Sequence, residues 1–208
     1  MLPDMIVLHY TAMKSCAAAC DRLCDPAAEV SAHYLISETG TLWQLVPEAR
    51  RAWHAGAGQW GDVTDVNSRS IGIELANIGD VPFPEQQMAV LEDLMTGIMS
   101  RWQVRPEGVI AHSDMAPARK SDPGPRFDWR RLALSGLSVW PSPGVAKGAF
   151  SNHAIAFGYP PDAAPDDMLR AFRLRFRPWA HGPLEAADTA LAADLARRFP
   201  VDRTGANA

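Results

Sequence analysis

The sequence predicts an α/β protein: a central mixed β-sheet flanked by helices, followed by a small domain of three helices. Two observations predict the sheet. Short apolar runs of strand length, Ile6-Val7-Leu8 and Val109-Ile110-Ala111, are separated by longer stretches whose apolar residues recur with a helical period. Each of these runs is followed at once by a histidine, His9 and His112. A third observation predicts the second domain: Trp140-Pro-Ser-Pro-Gly interrupts the chain, and three helical patterns follow it. The expected boundaries are 1–140 for the first domain, 141–145 for the connector and 146–208 for the helical domain.

Composition sets limits on function. The 208 residues suffice for one medium domain with a proper core and one small domain. A net charge of −4 argues against a nucleic-acid surface. No apolar run approaches the ~20 residues of a membrane-spanning helix. Met1-Leu-Pro-Asp-Met enters the first strand within a few residues, without the basic segment, apolar stretch and small-residue site of a signal peptide. The expected compartment is the cytoplasm. A periplasmic or outer-membrane-associated location is the alternative if an export segment has been removed. The three cysteines agree with a reducing compartment, because an odd count gives no full disulfide set. Cys16, Cys20 and Cys24 are four apart and would share one helix face, as small apolar packing residues. A three-thiolate metal site is the alternative.

In chain order, residues 13–24 read as an alanine-rich helix stopped near Pro26. Val30–Ile36 and Leu42–Val46 read as a hairpin about the turn at Thr39 and Gly40. His33, inside the first of these strands, is expected to be a packed, hydrogen-bonded histidine. Trp53-His-Ala-Gly opens a loop through Gly56, Gly58 and Gly61, whose glycines suit a cleft wall. In Ser70–Leu75, Ile71, Ile73 and Leu75 share one face while Gly72 and Glu74 share the other. A carboxylate there is costly unless it meets a polar cleft or a partner such as Arg69. Glu85 to about Trp102 reads as a helix buried through Met88, Leu91, Leu94, Met95, Ile98 and Trp102. After the connector, Ala146–Phe157, Asp166–Phe176 and Glu185–Phe199 are the three expected helices. Their small core would use Leu169, Phe172, Leu174, Phe176, Leu191, Leu195 and Phe199. Arg170, Arg173, Arg175 and Arg177 read as a basic cluster, either a solvated face or a contact for an anionic polymer.

Residues 108–125 concentrate the chemistry. His112 leaves the end of an apolar run, and a loop stiffened by Pro117, Pro123 and Pro125 then carries Arg119, Lys120 and Asp122. If the runs before His9 and His112 are adjacent parallel strands, both imidazoles emerge at the edge where α/β sheets place ligands. Asp122 would add an oxygen, giving two nitrogens and one oxygen with a fourth position free, the layout of a catalytic zinc site. The other reading is two unrelated strand-end histidines and a turn aspartate.

Six stretches in order carry a family resemblance: Ile6–Thr11, Val30–Ile36, Trp43–Pro47, Ala52–Gly56, Asn67–Leu75 and Ala111–Trp129. Together they resemble the zinc-dependent N-acetylmuramoyl-L-alanine amidases of the AmpD/AmiD type, within the peptidoglycan-recognition-protein fold. The C-terminal third resembles the helical, peptidoglycan-binding-like domain appended in AmiD-like members. The resemblance implies Zn2+ on His9, His112 and Asp122, with Glu74 as general base and Lys120 stabilising the oxyanion. It also makes Trp53 and His54 substrate neighbours. Arg119 is a candidate to hold a peptide carboxylate through two hydrogen bonds. The implied partners are muropeptides and, beyond them, intact peptidoglycan, acted on by a monomer. The rival is a recognition module that binds muropeptides without cutting them. A general metallopeptidase is disfavoured because the sequence contains no His-Glu-x-x-His.

Overall fold

The computed structural model describes residues 2–201. Its strands are β1 (Met5–Tyr10), β2 (Tyr34–Ile36), β3 (Leu42–Gln44), β4 (Ser70–Leu75) and β5 (Val109–Ala111), in the sheet order β3-β2-β4-β1-β5. The sheet is mixed: β1 runs parallel to β4 and β5, β2 parallel to β4, and only the β2–β3 hairpin is antiparallel. The strands flanking β1 are therefore the ones that carry Glu74 and lead to His112.

Both faces of this sheet are covered, and the period of two decides which residue goes where. On one face Ile6, Leu8, Ile71, Ile73, Leu75, Val109 and Ala111 meet helices α2 (Glu85–Trp102) and α4 (Trp129–Leu134) through Met88, Leu91, Met95, Trp129 and Leu132. On the other, Met5, Val7 and Ile110 meet the C-terminal helices α5 (Phe150–Phe157), α6 (Pro165–Phe176) and α7 (Ala186–Arg198). Phe157, Phe172 and Phe176 are almost fully buried there, and each such ring contributes roughly 1.5–3 kcal/mol of transfer free energy. The C-terminal helices thus share one apolar cluster with the sheet. Farther along the same face, His9 and Glu74 lie beyond these helices, at the strand ends.

Helix α1 (Cys16–Cys24) starts where Ser15 Oγ accepts from the Ala18 amide at 3.2 Å and stops before Pro26. It buries Cys16 and Ala19 against Leu35 and Ala76, with Cys20 partly covered and Cys24 exposed. All three cysteines are free thiols, and two of them act as packing residues. Strand β2 is shorter than the Val30–Ile36 expected, because the Ser31 amide donates to the Trp53 carbonyl, in the loop, at 3.1 Å rather than to a strand. Two short helices, α3 (His112–Met115) and α4, went unrecognised in the sequence. Segments of four and six residues hold too few repeats to reveal a period.

The arginines of α6 correct the expectation of a basic face. Arg170, Arg173 and Arg177 are three and four positions apart and share one side of the helix, but Arg175 does not, and all four are taken up by partners within the fold. Arg173 is buried on Asp188 at 2.6 Å, and Arg177 reaches the same carboxylate at 2.7 Å. Arg170 donates to the Pro117 carbonyl and to Asp167. Arg175 is fully buried, donating to Asp114 at 2.6 Å, the Val109 carbonyl at 2.9 Å and Ser138 at 3.1 Å. Tyr159 donates to the other oxygen of Asp114 at 2.6 Å. Asp114 belongs to α3, the helix that His112 begins, so the C-terminal helices are tied to the turn next to His112. Replacing Arg175 with Met leaves the Asp114 charge buried without its main partner. Stability should fall by about 3–5 kcal/mol. Urea unfolding reads this, and a loss under 1 kcal/mol would show the pair to be dispensable.

A second polar anchor joins the hairpin to α2. Glu48 accepts from Tyr34 at 2.7 Å, from Trp102 Nε1 at 2.6 Å and from Arg101 Nε at 3.1 Å. Burial opposes its charge, yet these hydrogen bonds outweigh burial and hold its pKa down to about 2, against an ordinary 4.5. A depressed folded-state pKa means the contribution is complete above pH 4.5 and lost as pH falls through about 2. The stability gap between wild type and Glu48→Gln should therefore shrink as urea titrations are taken from pH 5 toward pH 2. A gap of constant size would contradict the assignment.

Candidate metal centre

The strand registers build the site. Leu8 lies opposite Ala111 in the parallel β1–β5 pair, so His9 and His112 leave the sheet side by side. His9 lies opposite Glu74 in the β1–β4 pair, which sets the carboxylate on the other flank of His9. Asp122 returns from the loop after α3, its carbonyl accepting from the Ser113 amide at 3.0 Å. All three residues of the trio are buried.

Three atoms converge. His9 Nδ1 lies 2.9 Å from His112 Nδ1 and 3.0 Å from Asp122 Oδ2, and His112 Nδ1 lies 2.9 Å from the same oxygen. His112 Nε2 faces the Ala55 carbonyl at 2.9 Å. A carbonyl only accepts, so Nε2 carries a ring hydrogen, and Nδ1 is the nitrogen turned toward His9 and Asp122. Burial, and then the neighbouring His112, hold the pKa of His9 down near 4 instead of 6.5, so its imidazole is neutral. Two imidazole nitrogens and a carboxylate oxygen that crowd together in this way form a donor set that fits a divalent cation. Among the described residues, His9, His112 and Asp122 are the one group of His, Cys, Asp or Glu side chains able to hold a metal.

The trio lies in a cleft of 360 Å³ whose other lining includes Tyr10, Trp53, Glu74 and Lys120, with Met13, Arg22 and Leu23 of the α1 side as a wall. Glu74 aims into this cleft. Its Oε2 is buried without a hydrogen-bond partner, although the residue as a whole is partly exposed. Burial, then the charge of Asp122, push its pKa up to about 8, while Lys120 pulls the other way. Arg69 is not its partner, since it pairs with Asp4.

The remaining expected site residues fall in different places. Lys120 lines the cleft on the turn where the Arg119 and Lys120 amides both donate to the Ala116 carbonyl at 3.0 Å. Trp53 is 57 % exposed at the cleft rim, with the Arg51 guanidinium 3.9 Å above its ring. Arg119 also lines the cleft, but its Nη2 donates to the Ala55 and Ala57 carbonyls. His54 is buried behind His9, with Nδ1 3.1 Å from His9 Nε2. His33 is a packed histidine, accepting from the Gly72 amide at 3.0 Å and donating to the Arg50 carbonyl at 2.9 Å. Sequence reasoning did not find the Ala55 carbonyl, Asn67 or Ser70, all of which touch this cluster. Their residue types carry no chemical signal, and only their place in the Ala52–Gly56 and Asn67–Leu75 stretches pointed to them.

Comparison with known proteins agrees with this geometry. A family model described as N-acetylmuramoyl-L-alanine amidase matches residues 1–125. The chain is 34% identical to N-acetylmuramoyl-L-alanine amidase AmiD of Escherichia coli K12, over 95% of this chain and 84% of that protein. It is 39% identical to 1,6-anhydro-N-acetylmuramyl-L-alanine amidase AmpD of the same organism, over 50% of this chain and 57% of that one. The solved complex of E. coli AmiD with the substrate anhydro-N-acetylmuramic acid-L-Ala-D-γ-Glu-L-Lys superposes with a TM-score of 0.86, covering 96% of this chain and 90% of that one at 34% identity. By sequence, by fold and by the residues gathered at its strand ends, this chain belongs to the N-acetylmuramoyl-L-alanine amidase family.

Proposed function

We propose that the chain uses Zn2+ to hydrolyse the amide between the lactyl group of N-acetylmuramic acid, or its anhydro form, and the L-alanine of a stem peptide. The observation that carries this reading is the convergence of His9 Nδ1, His112 Nδ1 and Asp122 Oδ2 beside an unpartnered Glu74 oxygen. Zinc on that trio would supply Lewis acidity, making a water acidic near neutral pH and polarising the amide carbonyl.

The protein's own groups do the rest. Amides are poor electrophiles with poor leaving groups, so attack needs a base and departure needs an acid. Glu74 takes the proton of the attacking water and passes it to the departing amine. Its Oε2, buried in the cleft beside the trio without a hydrogen-bond partner, is placed for both halves of that task. Lys120 lies two residues before Asp122 and brings an ammonium charge to the carbonyl oxygen as that oxygen becomes anionic. Trp53, exposed at the rim, offers its indole to the substrate, and Arg119 stands beside Lys120 as a contact for a peptide carboxylate.

The AmiD complex with an anhydro-muropeptide supports muropeptides as ligands, and the length of that match favours acceptance of intact muramyl substrates as well. The free cysteines support a cytoplasmic address. Among the described residues no helix is long and apolar enough to cross a membrane. We take the protein to act as a monomer. The boundaries 1–140, 141–145 and 146–208 stand as our proposed division of the chain. In that division the C-terminal helices back the sheet as well as forming a unit.

Three substitutions separate the roles. Asp122→Ala should lose zinc and activity together, read by elemental analysis and by mass spectrometry of released stem peptide. Glu74→Gln should keep zinc and lose about 10²–10⁴ in turnover, and retained turnover would remove Glu74 as the base. Lys120→Met should lower kcat by about 10²–10³ with little change in KM. Equal effects on both constants would instead make Lys120 a binding group.

A further inference from the structure

We infer that residues 54–55, pinned by Asn67 and Ser70, are an orienting clamp for both candidate metal-ligating histidines, with His54 the positioning residue for His9. The inference rests on the metal reading of the site given above. It begins with the Val66 carbonyl, which can only accept. Ser70 lies 2.6 Å from it and gives it the one hydrogen its hydroxyl has. Toward His54 Nε2, 3.4 Å away, Ser70 Oγ is therefore an acceptor, and His54 must carry its ring hydrogen on Nε2. His54 Nδ1 is then bare, and it accepts from His9 Nε2 at 3.1 Å. His9 consequently keeps its hydrogen on Nε2 and turns an unprotonated Nδ1 toward His112 and Asp122. A backbone carbonyl three links away sets the direction of the whole chain.

The next residue does the same for the second histidine. The Ala55 carbonyl accepts from His112 Nε2 at 2.9 Å and from Arg119 at 3.2 Å. One oxygen holds both halves of this clamp: Asn67 Oδ1 accepts from the His54 amide at 3.0 Å and the Ala55 amide at 2.9 Å. Room for the His54 ring comes from Gly72 on β4, where a Cβ would lie 2.3–2.6 Å from ring atoms. With its ring buried and both nitrogens engaged, His54 has no donor or acceptor left for substrate. Its work is done through His9.

Two readouts test the clamp: the Zn2+ dissociation constant, by competition with a chromophoric chelator, and the His9 tautomer of the metal-free protein, by long-range 1H–15N NMR. His54→Phe keeps a flat ring over Gly72 but removes both nitrogens. It should weaken zinc binding about 10- to 100-fold and spread the His9 hydrogen over both nitrogens. Ser70→Ala should shift both readouts the same way, by less. Ser31→Ala cuts a different anchor of the loop, at the Trp53 amide, and should move neither. A folded His54→Phe with wild-type zinc affinity and a wild-type His9 tautomer would overturn the inference. So would a wild-type His9 protonated on Nδ1. Should His54→Phe fail to fold, an unchanged tautomer in Ser70→Ala overturns it equally. Wild-type protein with no zinc affinity would sink the metal reading alone, and the tautomer would still decide the clamp.

Discussion

Everything at the candidate site depends on the register of three parallel strands. His9 stands opposite Glu74 on one side, while Leu8 stands opposite Ala111, the residue before His112, on the other. A slip of one residue would send every side chain of a strand to the opposite face. His9 would then point into the core under α2, and Ile71, Ile73 and Leu75 would face the cleft. The burial of those isoleucines and leucines therefore holds the chemistry in place. Apolar residues on one face specify the register, and the polar residues between them inherit their position from it.

Helices on both faces reinforce that register in different ways. On the α2 face the contact is mainly apolar, supplemented by the Glu48 anchor and by buried Gln87, which donates to the Ile36 and Ala76 carbonyls. On the other face the C-terminal helices cover only the lower strand residues, and they add a buried ion pair, Arg175 with Asp114, at the first turn after His112. A buried pair of this kind contributes little net stability compared with apolar packing, but it is expensive to break. Its value here is geometric, since it ties the C-terminal bundle to the helix that starts at a candidate metal ligand. The orienting loop at residues 54–55 approaches from the same side, above Gly72. The cleft is thus bounded by elements far apart in the chain and locked to one another by hydrogen bonds.

Much of this was legible in the sequence, for physical reasons that differ by residue. Ser70–Leu75, and the helix from Glu85 to about Trp102, could be read because their apolar periods are regular. His9, His112 and Asp122 could be nominated because two histidines at strand exits, and an aspartate in a proline-rich loop, have no packing task. The arginines of α6 misled, since their partners Asp114, Asp188 and Glu185 lie 8 to 61 positions away. No local pattern encodes such a pairing. The Trp53-His-Ala-Gly stretch suggested a place for His54 beside the cleft, but its partner, a hydroxyl on the next strand whose only hydrogen is already committed, is visible only in three dimensions.

The most direct measurement is anomalous diffraction at the zinc absorption edge from crystals grown with Zn2+. The expected result is one peak per chain, within bonding distance of Nδ1 of both His9 and His112 and of an oxygen of Asp122. A peak bound through Nε2 of either histidine, or located elsewhere, would contradict the tautomers and the strand geometry described here.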